Sequence, residues 1–245
     1  MKSGKRSICA GPGNPPVVVD GSADIDKAAR SVIEGAGFDN NLLCIGEKEV
    51  FVLKSAFHEF TDAMERSGAV KLIGPELERL SAEAFTEEED AGGCSHAVLN
   101  RELVGADARV LAARAGARSC DDCPLLFAET GPDHAFVVEE QMMPMVPVVA
   151  VDSFSEGVKH SVAAEHGYKH SSMVHTVNVD HMTEMARAMD TTLFVKNGSS
   201  MCGLGLGGEG YLSYSIATAT GEGITTPKTF TRVRRCVMVD NLRIY

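Results

Sequence analysis

Short apolar runs alternate along the chain with longer segments whose apolar positions recur every three or four residues. The clearest helical pattern covers Asp24–Ala36, where the apolar face is formed by Ile25, Ala28, Ala29, Val32, Ile33 and Ala36. The same spacing predicts helices at Ser55–Met64, Leu77–Phe85, Ala106–Ala115, Ser155–Ala164 and Val179–Met189. Apolar runs predict strands at Pro16–Asp20, Glu49–Leu53, Leu125–Ala128, Val146–Val151, Ser172–Thr176 and Thr192–Lys196. This repetition of strand and helix predicts an α/β domain with a mostly parallel sheet flanked by helices.

Two segments depart from this alternation. Residues 86–95 are acidic and contain glycine, which predicts a surface loop. The segment Thr229–Val239 has the composition of a strand and carries Arg232, Arg234 and Arg235. A basic strand is consistent with a solvated sheet edge on a monomer, and also with a strand that joins a second subunit. We favour association because so long a strand is difficult to leave unpaired, and we divide the chain into a domain at 1–215 and a C-terminal arm at 216–245.

Composition narrows the range of functions. The 245 residues carry 23 basic and 34 acidic side chains, a net charge of −11, which argues against a nucleic-acid partner because binding phosphates requires clustered cations. No apolar run approaches about 18 residues, so no membrane-spanning helix is predicted. The basic N-terminus is not followed by an apolar segment and does not predict a signal peptide. Seven scattered cysteines favour a reducing, cytoplasmic setting over a disulfide framework.

The residues best suited to a catalytic role lie at 38–48, between a predicted helix and a predicted strand. Cys44 falls in this connection, and a thiolate is the strongest side-chain nucleophile near neutral pH. The amides of Asn40 and Asn41, and the backbone N–H of Cys44, are candidate donors to an oxygen that becomes negative during attack on a carbonyl. The residues alone leave a second interpretation open, in which Cys44 is a small buried apolar side chain.

The segment Phe-Asp-Asn-Asn-x-x-Cys-Ile-x-Glu-Lys-Glu, which begins at Phe38, resembles the active-site segment of the CoA-acylating aldehyde dehydrogenases. These enzymes form the branch of the aldehyde dehydrogenase superfamily that serves ethanolamine and propanediol utilisation. Further segments resemble the family in the family's order, namely Gly11–Asp20, Glu139–Pro147, Phe194–Gly198, Gly203–Gly210 and Thr229–Cys236. The resemblance implies the Rossmann-like catalytic domain of that family, followed by an arm that takes part in subunit association.

The resemblance also implies roles for individual residues. Glu140 stands where the superfamily holds the nicotinamide ribose, although Gln141 and Met142 replace the more usual apolar and aromatic pair. His170 stands where a histidine precedes a small hydroxyl residue near the site, and it is a candidate for deprotonating a thiol. Both residues also allow an interpretation without a catalytic or binding role. Glu140 would then be a solvated acidic side chain and His170 a structural histidine.

Other motifs carry less weight. The run Gly203–Gly208 satisfies Gly-x-Gly-x-x-Gly, but the poor helix sequence that follows it argues against a dinucleotide fingerprint. Cys120 and Cys123 form a Cys-x-x-Cys without the partners of a redox or zinc site, so we interpret them as surface-loop thiols. Four histidines fall within 16 residues, yet no closed ligand set emerges and we predict no metal site: His166, His170, His175 and His181.

One departure from the wider superfamily indicates the reaction. Hydrolytic aldehyde dehydrogenases carry a glutamate in a Glu-Leu-Gly-Gly-Lys segment shortly before the cysteine, and the corresponding stretch here, Gly11–Pro16, has no carboxylate. Without that base, water is a poor nucleophile towards a thioester, whereas a thiol ionises far more easily. The sequence therefore favours acyl transfer from Cys44 to coenzyme A over hydrolysis. The alternatives are a hydrolytic enzyme and a non-catalytic assembly module of the same superfamily.

The resemblance implies that the chain is the catalytic half of its enzyme and that the nucleotide-binding domain is absent from it. NAD and coenzyme A are then expected to bind mainly through the missing domain, and the chain alone is expected not to turn over aldehyde. The implied substrate is a short aliphatic aldehyde of two or three carbons. The implied assembly is a homo-oligomer joined through the C-terminal strand, in the cytoplasm, with a bacterial microcompartment as a further option.

Overall fold

The computed structural model describes residues 4–89, 95–118 and 120–240. The helices are α1 (Ile25–Gly37), α2 (Lys54–Arg66), α3 (Gly74–Ala84), α4 (Ala108–Ala115), α5 (Ala135–Val138), α6 (Phe154–Ala164) and α7 (Val179–Met189). The strands are β1 (Pro16–Val19), β2 (Glu49–Leu53), β3 (Val70–Lys71), β4 (Phe85–Glu89), β5 (Ser95–Leu99), β6 (Leu126–Thr130), β7 (Met145–Val151), β8 (Ser171–His175), β9 (Leu193–Lys196), β10 (Ile216–Ala217) and β11 (Gly223–Ile224). Short 3₁₀ helices lie at Phe38–Asn41, Ser200–Leu204 and Pro227–Phe230. Among these residues, no helix has the length and apolar character needed to cross a bilayer.

The centre of the fold is a seven-stranded sheet in the order β3-β6-β7-β2-β1-β8-β9. All of its strand pairings are parallel. Neighbouring parallel strands require long crossovers, and these are supplied by α1 between β1 and β2 and by α7 between β8 and β9. The α/β fold with a mostly parallel sheet, predicted from the alternating pattern, is confirmed.

Helices cover both faces of this sheet. On β1, Val17 and Val19 pack into the core beneath α1 and α2, while Val18 packs into the core beneath α6 and α7. Side chains alternate between the two faces of a strand, so a central strand that is covered on both sides must be apolar at every position. This explains why the strand sequences are continuous apolar runs. A further core cluster packs α3 and α4 against β6.

The sequence of α1 determines where the helix begins. Asp24 is its N-cap and accepts a hydrogen bond from the backbone N–H of Lys27 at 3.0 Å. Such a cap stabilises a helix by about 1 kcal/mol. The helix ends where Phe38 adopts an extended conformation, and the 3₁₀ turn that follows leads directly to Cys44. A regular, well-capped helix therefore delivers the segment that was singled out from the sequence.

The segments with chemical interest all precede strands of the sheet. Gly11–Pro15 leads into β1 and Leu42–Lys48 into β2, while Glu139–Pro144 leads into β7 and Glu165–His170 into β8. Because β7, β2, β1 and β8 are neighbours and run in the same direction, these segments meet along the amino edge of the sheet. The strand order thus places four separated stretches of sequence in one region.

Two predictions of local structure were wrong. Residues 86–95, predicted as a loop, instead contribute to an antiparallel hairpin of β4 and β5, with the register Thr86↔Val98 and Glu88↔His96. The acidic side chains obscured the strand pattern, because a two-stranded hairpin needs only backbone pairing and tolerates charged side chains. The intervening residues 90–94 lie outside the described ranges.

The strand predicted at Thr229–Val239 does not form in the described part of the chain, which ends at residue 240. A 3₁₀ turn at Pro227–Phe230 is followed by irregular, exposed backbone from 231 to 240. A strand is stable only when its N–H and C=O groups find a neighbouring strand, and the single chain places none beside this segment. The start of the arm is well packed, since Ile216 joins an apolar cluster with Ile45 and Met201.

Candidate active site

Cys44 follows a backbone turn of unusual conformation. Three consecutive residues, Asp39, Asn40 and Asn41, have left-handed φ angles of 49°, 52° and 59°. None is glycine, and this conformation costs a non-glycine residue roughly 1–2 kcal/mol. The side-chain amide of Asn40 donates to the Gly105 carbonyl at 2.9 Å and to Asp107 Oδ1 at 3.0 Å. Contacts outside the turn therefore maintain a strained conformation immediately before the thiol, as is typical of functional sites.

Asn41 is fixed from inside the protein. The side chain is fully buried, and its amide nitrogen donates to the Glu47 carbonyl at 3.1 Å. Both of its oxygens accept from the Lys48 ammonium, the main-chain oxygen at 2.6 Å and Oδ1 at 2.9 Å. The geometry thus does not favour the predicted oxyanion role for the Asn40 and Asn41 amides, because these amides bind backbone and side-chain oxygens of the protein itself.

Cys44 is half-buried and packs against an apolar cluster. Burial raises the pKa of its thiol, and the nearby Glu140 carboxylate raises it further. Its own backbone N–H and the Lys48 ammonium act in the opposite direction. The reactivity of the thiol is therefore set by a balance between desolvation and the charges on Glu140 and Lys48.

His170 lies next to Cys44 at a corner formed by Gly13. A Cβ atom added to Gly13 would lie 2.7 Å from the Cys44 carbonyl oxygen and 3.0 Å from Cγ of His170, so the close approach requires glycine. The His170 backbone N–H donates to Glu165 Oε1 at 2.8 Å, and Nδ1 is paired with Ser171 Oγ at 2.8 Å. Burial, assisted by the Lys48 charge, lowers the pKa of His170 to about 4. The imidazole is therefore neutral at physiological pH, the form that can accept a proton.

Glu140 faces the same corner from the segment before β7. Its carboxylate accepts the backbone N–H of Gly13, while burial raises its pKa and the Lys48 charge opposes that rise. A half-buried carboxylate beside the thiol is a suitable acceptor for the two hydroxyl groups of a ribose. The chemistry of this donor set therefore fits the cofactor role implied for Glu140.

Several buried polar residues at this edge were missed from the sequence. The Gln141 amide donates to the Lys48 carbonyl at 2.8 Å and to the Met145 carbonyl at 3.0 Å, joining the starts of β2 and β7. Glu47, also fully buried, accepts from the backbone N–H and the hydroxyl of Ser200, both at 2.8 Å. The only sequence signal for this group was the charged run Glu-Lys-Glu before an apolar strand. Such a charged run normally predicts exposed side chains.

The same buried run holds three ionisable groups with displaced pKa values. Burial raises the pKa of Glu47 to about 7 and lowers the pKa of Lys48 to about 8. Burial also raises the pKa of Glu49 well above its usual value, and neither carboxyl oxygen of Glu49 has a hydrogen-bond partner. Such clustered displacements are characteristic of functional sites, although structural networks produce them too.

The remaining motifs lie away from this corner. Cys120 and Cys123 are joined in a disulfide, so the interpretation as free surface thiols was wrong. Both cysteines pack against the core that contains α4, which brings their sulfur atoms together. The run Gly203–Gly208 begins within the 3₁₀ helix Ser200–Leu204 and opens no α-helix.

The four histidines are dispersed, with His166 paired to the Val138 carbonyl at 2.7 Å and His181 to Asp20 at 2.6 Å. Across residues 4–89, 95–118 and 120–240, no group of three or more His, Cys, Asp or Glu side chains is arranged to hold a metal ion.

Comparison with known proteins identifies the family of the chain. A family model described as "Aldehyde dehydrogenase family" matches residues 1–209. The chain belongs to the aldehyde dehydrogenase family. Its fold therefore has the family's sheet architecture, and the resemblance stated from the motifs is confirmed at the level of the family.

Individual members of the family are also similar. The acetylating acetaldehyde dehydrogenase EutE of Salmonella typhimurium is 45% identical over 240 residues, which are 98% of this chain and 51% of that protein. A propionaldehyde dehydrogenase from the Clostridium phytofermentans fucose utilisation bacterial microcompartment matches with 42% identity and a TM-score of 0.87, covering 98% of this chain and 53% of that chain. The chain thus spans about half the length of the family members it matches.

A third similar structure bears on the chemistry. It is a propionaldehyde dehydrogenase from Rhodopseudomonas palustris, 38% identical with a TM-score of 0.88, covering 96% of this chain and 52% of that chain. That protein is described with bound CoA and an acylated cysteine. This chain is thus similar to a family member in which a cysteine carries an acyl group.

Proposed function

We propose that this chain is the catalytic part of a CoA-acylating aldehyde dehydrogenase, with Cys44 as its nucleophile. The observation that carries the proposal is the lack of a water-activating carboxylate in the segment that packs on Cys44. A Cβ atom on Gly13 would lie 2.7 Å from the Cys44 carbonyl oxygen, so this segment runs close to Cys44. The next residue, Asn14, directs its amide away to the Val137 and Ala164 carbonyls, both at 3.0 Å. A thioester on Cys44 is thereby better suited to attack by a thiol than by water.

The chemistry assigned to this chain has two halves. In the first, the Cys44 thiolate would attack the aldehyde carbon to give the alkoxide of a thiohemiacetal, and transfer of hydride to NAD⁺ would leave a thioacyl enzyme. In the second, the thiol of coenzyme A gives up its proton and attacks the thioester, which releases acyl-CoA and restores the Cys44 thiolate. Overall, aldehyde, CoA thiol and NAD⁺ become acyl-CoA, NADH and one proton. The neutral imidazole of His170 is the assigned acceptor for a thiol proton.

NAD, when bound, would supply the hydride acceptor. Glu140 is the residue of this chain that would hold it, with its carboxylate accepting hydrogen bonds from the ribose hydroxyls. Asn41 has a positioning role in this scheme, because its side chain is turned inward to Glu47 and Lys48. The other contacts to NAD and coenzyme A are assigned to the half of the family members that this chain does not match.

The proposed substrate is a short aliphatic aldehyde of two or three carbons, which accords with the acetaldehyde and propionaldehyde named for the similar proteins. A cytoplasmic location, within a bacterial microcompartment, is proposed on the same basis. A homo-oligomer formed through the exposed segment 231–240 completes the proposal.

The reverse acyl transfer provides a direct test, because it needs no NAD. The chain is incubated with acetyl-CoA or propionyl-CoA, and its intact mass is measured alone and with the N-terminal half of a similar family member supplied. We expect one acyl adduct that is lost in Cys44→Ala and kept in Cys202→Ala, a matched change at another half-buried cysteine.

The outcomes separate the alternatives. An adduct that persists in Cys44→Ala contradicts the assignment of the nucleophile. If no adduct forms, either with the chain alone or with the N-terminal half supplied, the result favours the assembly module. Rapid release of the free acid instead of acyl exchange favours the hydrolytic enzyme, with Glu140 as the first carboxylate to examine.

A further inference from the structure

Lys48 is buried at the centre of the corner, one residue before β2, with 0% of its surface exposed. A lysine is almost never fully buried unless its ammonium is paired. Here the backbone of Lys48 is fixed by the segments that lead into the two neighbouring strands, β1 and β7. Its N–H donates to the Pro15 carbonyl at 3.0 Å, and its carbonyl accepts from Gln141 at 2.8 Å. The residue therefore has a defined place beneath the segment that carries Cys44.

The ammonium reaches back to the strained turn. It donates to the main-chain oxygen of Asn41 at 2.6 Å and to its side-chain oxygen at 2.9 Å. Asn41 is the last of three left-handed residues before Cys44, and such a conformation persists only where the surroundings impose it. Two of the three N–H groups of Lys48 thus hold the end of the turn that leads to the thiol.

The charge of Lys48 also acts on the groups around it. The titratable groups that face the ammonium are Cys44, Glu47, Glu49, Glu140 and His170. Among them, the positive charge favours the thiolate of Cys44 and the carboxylate of Glu140, and it disfavours a charged His170. One buried cation therefore acts on the thiol, on the neighbouring carboxylate and on the imidazole at the same time.

We propose that Lys48 is a positioning residue for Cys44: its ammonium fastens the left-handed turn that aims the thiol and places a positive charge beneath the thiolate. The inference rests on the proposed role of Cys44 as the nucleophile. It adds to that role a cation inside this chain that compensates for the burial of the thiol and for the negative charge of Glu140.

The test measures the rate at which iodoacetamide alkylates Cys44 between pH 6 and pH 10, by mass spectrometry of the Cys44 peptide. Lys48→Met keeps the length of the side chain and removes the charge. Lys54→Met is the matched control, because Lys54 is exposed and pairs with Asp152 on the surface. Alkylation of Cys202 in the same samples is the internal reference, and thermal unfolding monitored by circular dichroism reports the fold.

We expect alkylation of Cys44 between pH 6 and about pH 8, where Lys48 carries its charge, to be about tenfold slower or more in Lys48→Met. Lys54→Met is expected to keep the wild-type rate. A folded Lys48→Met protein with the wild-type rate in this range overturns the proposal, since a purely structural lysine changes the melting temperature without changing the ionisation of the thiol.

A second variant covers the case in which Lys48→Met does not fold. Asn41→Ala keeps the ammonium and removes one of its two anchors, so we expect slower alkylation of Cys44 over the same pH range. Wild-type behaviour of a folded Asn41→Ala protein overturns the proposal.

Acylation by acetyl-CoA, measured in parallel, distinguishes a failure of the proposed function from a failure of the inference on Lys48. A Lys48-dependent alkylation rate without any acyl adduct contradicts the proposed function and supports the inference on Lys48. An adduct with a Lys48-independent alkylation rate does the reverse.

Discussion

At the scale of single residues, Cys44 depends on neighbours whose side chains are small, buried or turned inward. Gly13 touches its carbonyl, Asn41 and Lys48 hold the turn before it, and Glu140 and His170 face it from adjacent segments. The motif identified Cys44, Glu140 and His170 as candidates. It did not identify Gly13 or Lys48, because a glycine and a lysine before a strand have many ordinary explanations.

The contact at Gly13 gives a direct prediction. In Gly13→Ala the new Cβ would lie 2.7 Å from the Cys44 carbonyl oxygen and 3.0 Å from Cγ of His170, so the backbone of Cys44 and the imidazole of His170 must shift to make room. We expect acylation of Cys44 to slow by about a hundredfold, since a displacement of about 1 Å is enough for such a loss.

Gly131→Ala is the matched control for this change, because a Cβ at Gly131 meets nothing within 4 Å. The measurement is the rate of Cys44 acylation by acetyl-CoA, under the conditions in which the wild-type protein reacts. Equal rates for Gly13→Ala and wild type would show that the corner formed by Gly13 has no part in the reaction.

At the scale of elements, the segment before β2 is joined to the 3₁₀ helix Ser200–Leu204. Glu47 accepts both the backbone N–H and the hydroxyl of Ser200, and the next residue, Met201, packs with Ile45 beside Cys44. The two elements are about 150 residues apart in sequence. The Glu47–Ser200 contact thus fixes one wall of the site to the loop that carries the nucleophile.

The burial of Glu47 predicts a pH dependence of stability. Burial raises the pKa of Glu47 from 4.5 to about 7, so the fold favours the protonated carboxyl. Its contribution to stability is fully present below pH 4.5 and is lost as the pH rises through about 7. Because one pKa unit corresponds to about 1.4 kcal/mol, the free energy of unfolding should fall by about 3 kcal/mol across this window.

Other buried groups titrate in the same range, so the prediction concerns a difference between variants. Glu47→Gln, which stays neutral at every pH, should lose about 3 kcal/mol less than the wild type between pH 4.5 and pH 8. Glu59→Gln, an exposed change on α2, should behave as wild type. Urea unfolding at each pH measures this difference, and parallel curves for wild type and Glu47→Gln would contradict it.

At the scale of the whole molecule, the sheet has an open edge strand, β9, and the chain has an unpaired segment, 231–240. Val233 is 97% exposed and Val239 is 78% exposed, which is unusual for apolar side chains in strand-like sequence. A cleft along β9 is lined by Phe194, Lys196 and Glu209. We propose that 231–240 pairs as a strand in an assembly of several copies.

The proposed assembly is tested by light scattering coupled to size-exclusion chromatography over a range of protein concentrations. We expect the wild-type chain to associate and the double change Val233→Asp and Val239→Asp to give a smaller species. Val179→Asp is the matched control, because Val179 is 69% exposed at the start of α7. A monomeric wild-type chain at every concentration would contradict association through this segment.

The sequence by itself determined the regular elements and the family. Periodic apolar positions are a local property, so α1, α2, α6, α7 and the central strands were predicted within a few residues. The motif around Cys44 carried the family resemblance because covalent chemistry restricts residue types over a short stretch. The hairpin of β4 and β5 was missed, since its charged side chains do not alternate in the way that a half-buried strand requires.

Only the tertiary structure decided which residues surround the thiol. Strand order brings the segments before β7, β2, β1 and β8 to one edge of the sheet, and no local pattern contains that order. Burial is also a tertiary property. Glu47, Lys48 and Gln141 are polar residues that the sequence suggests are exposed, and each is fully buried because the neighbouring segments close over it and supply its hydrogen bonds. The environment of Cys44 is therefore a consequence of how the sheet is assembled.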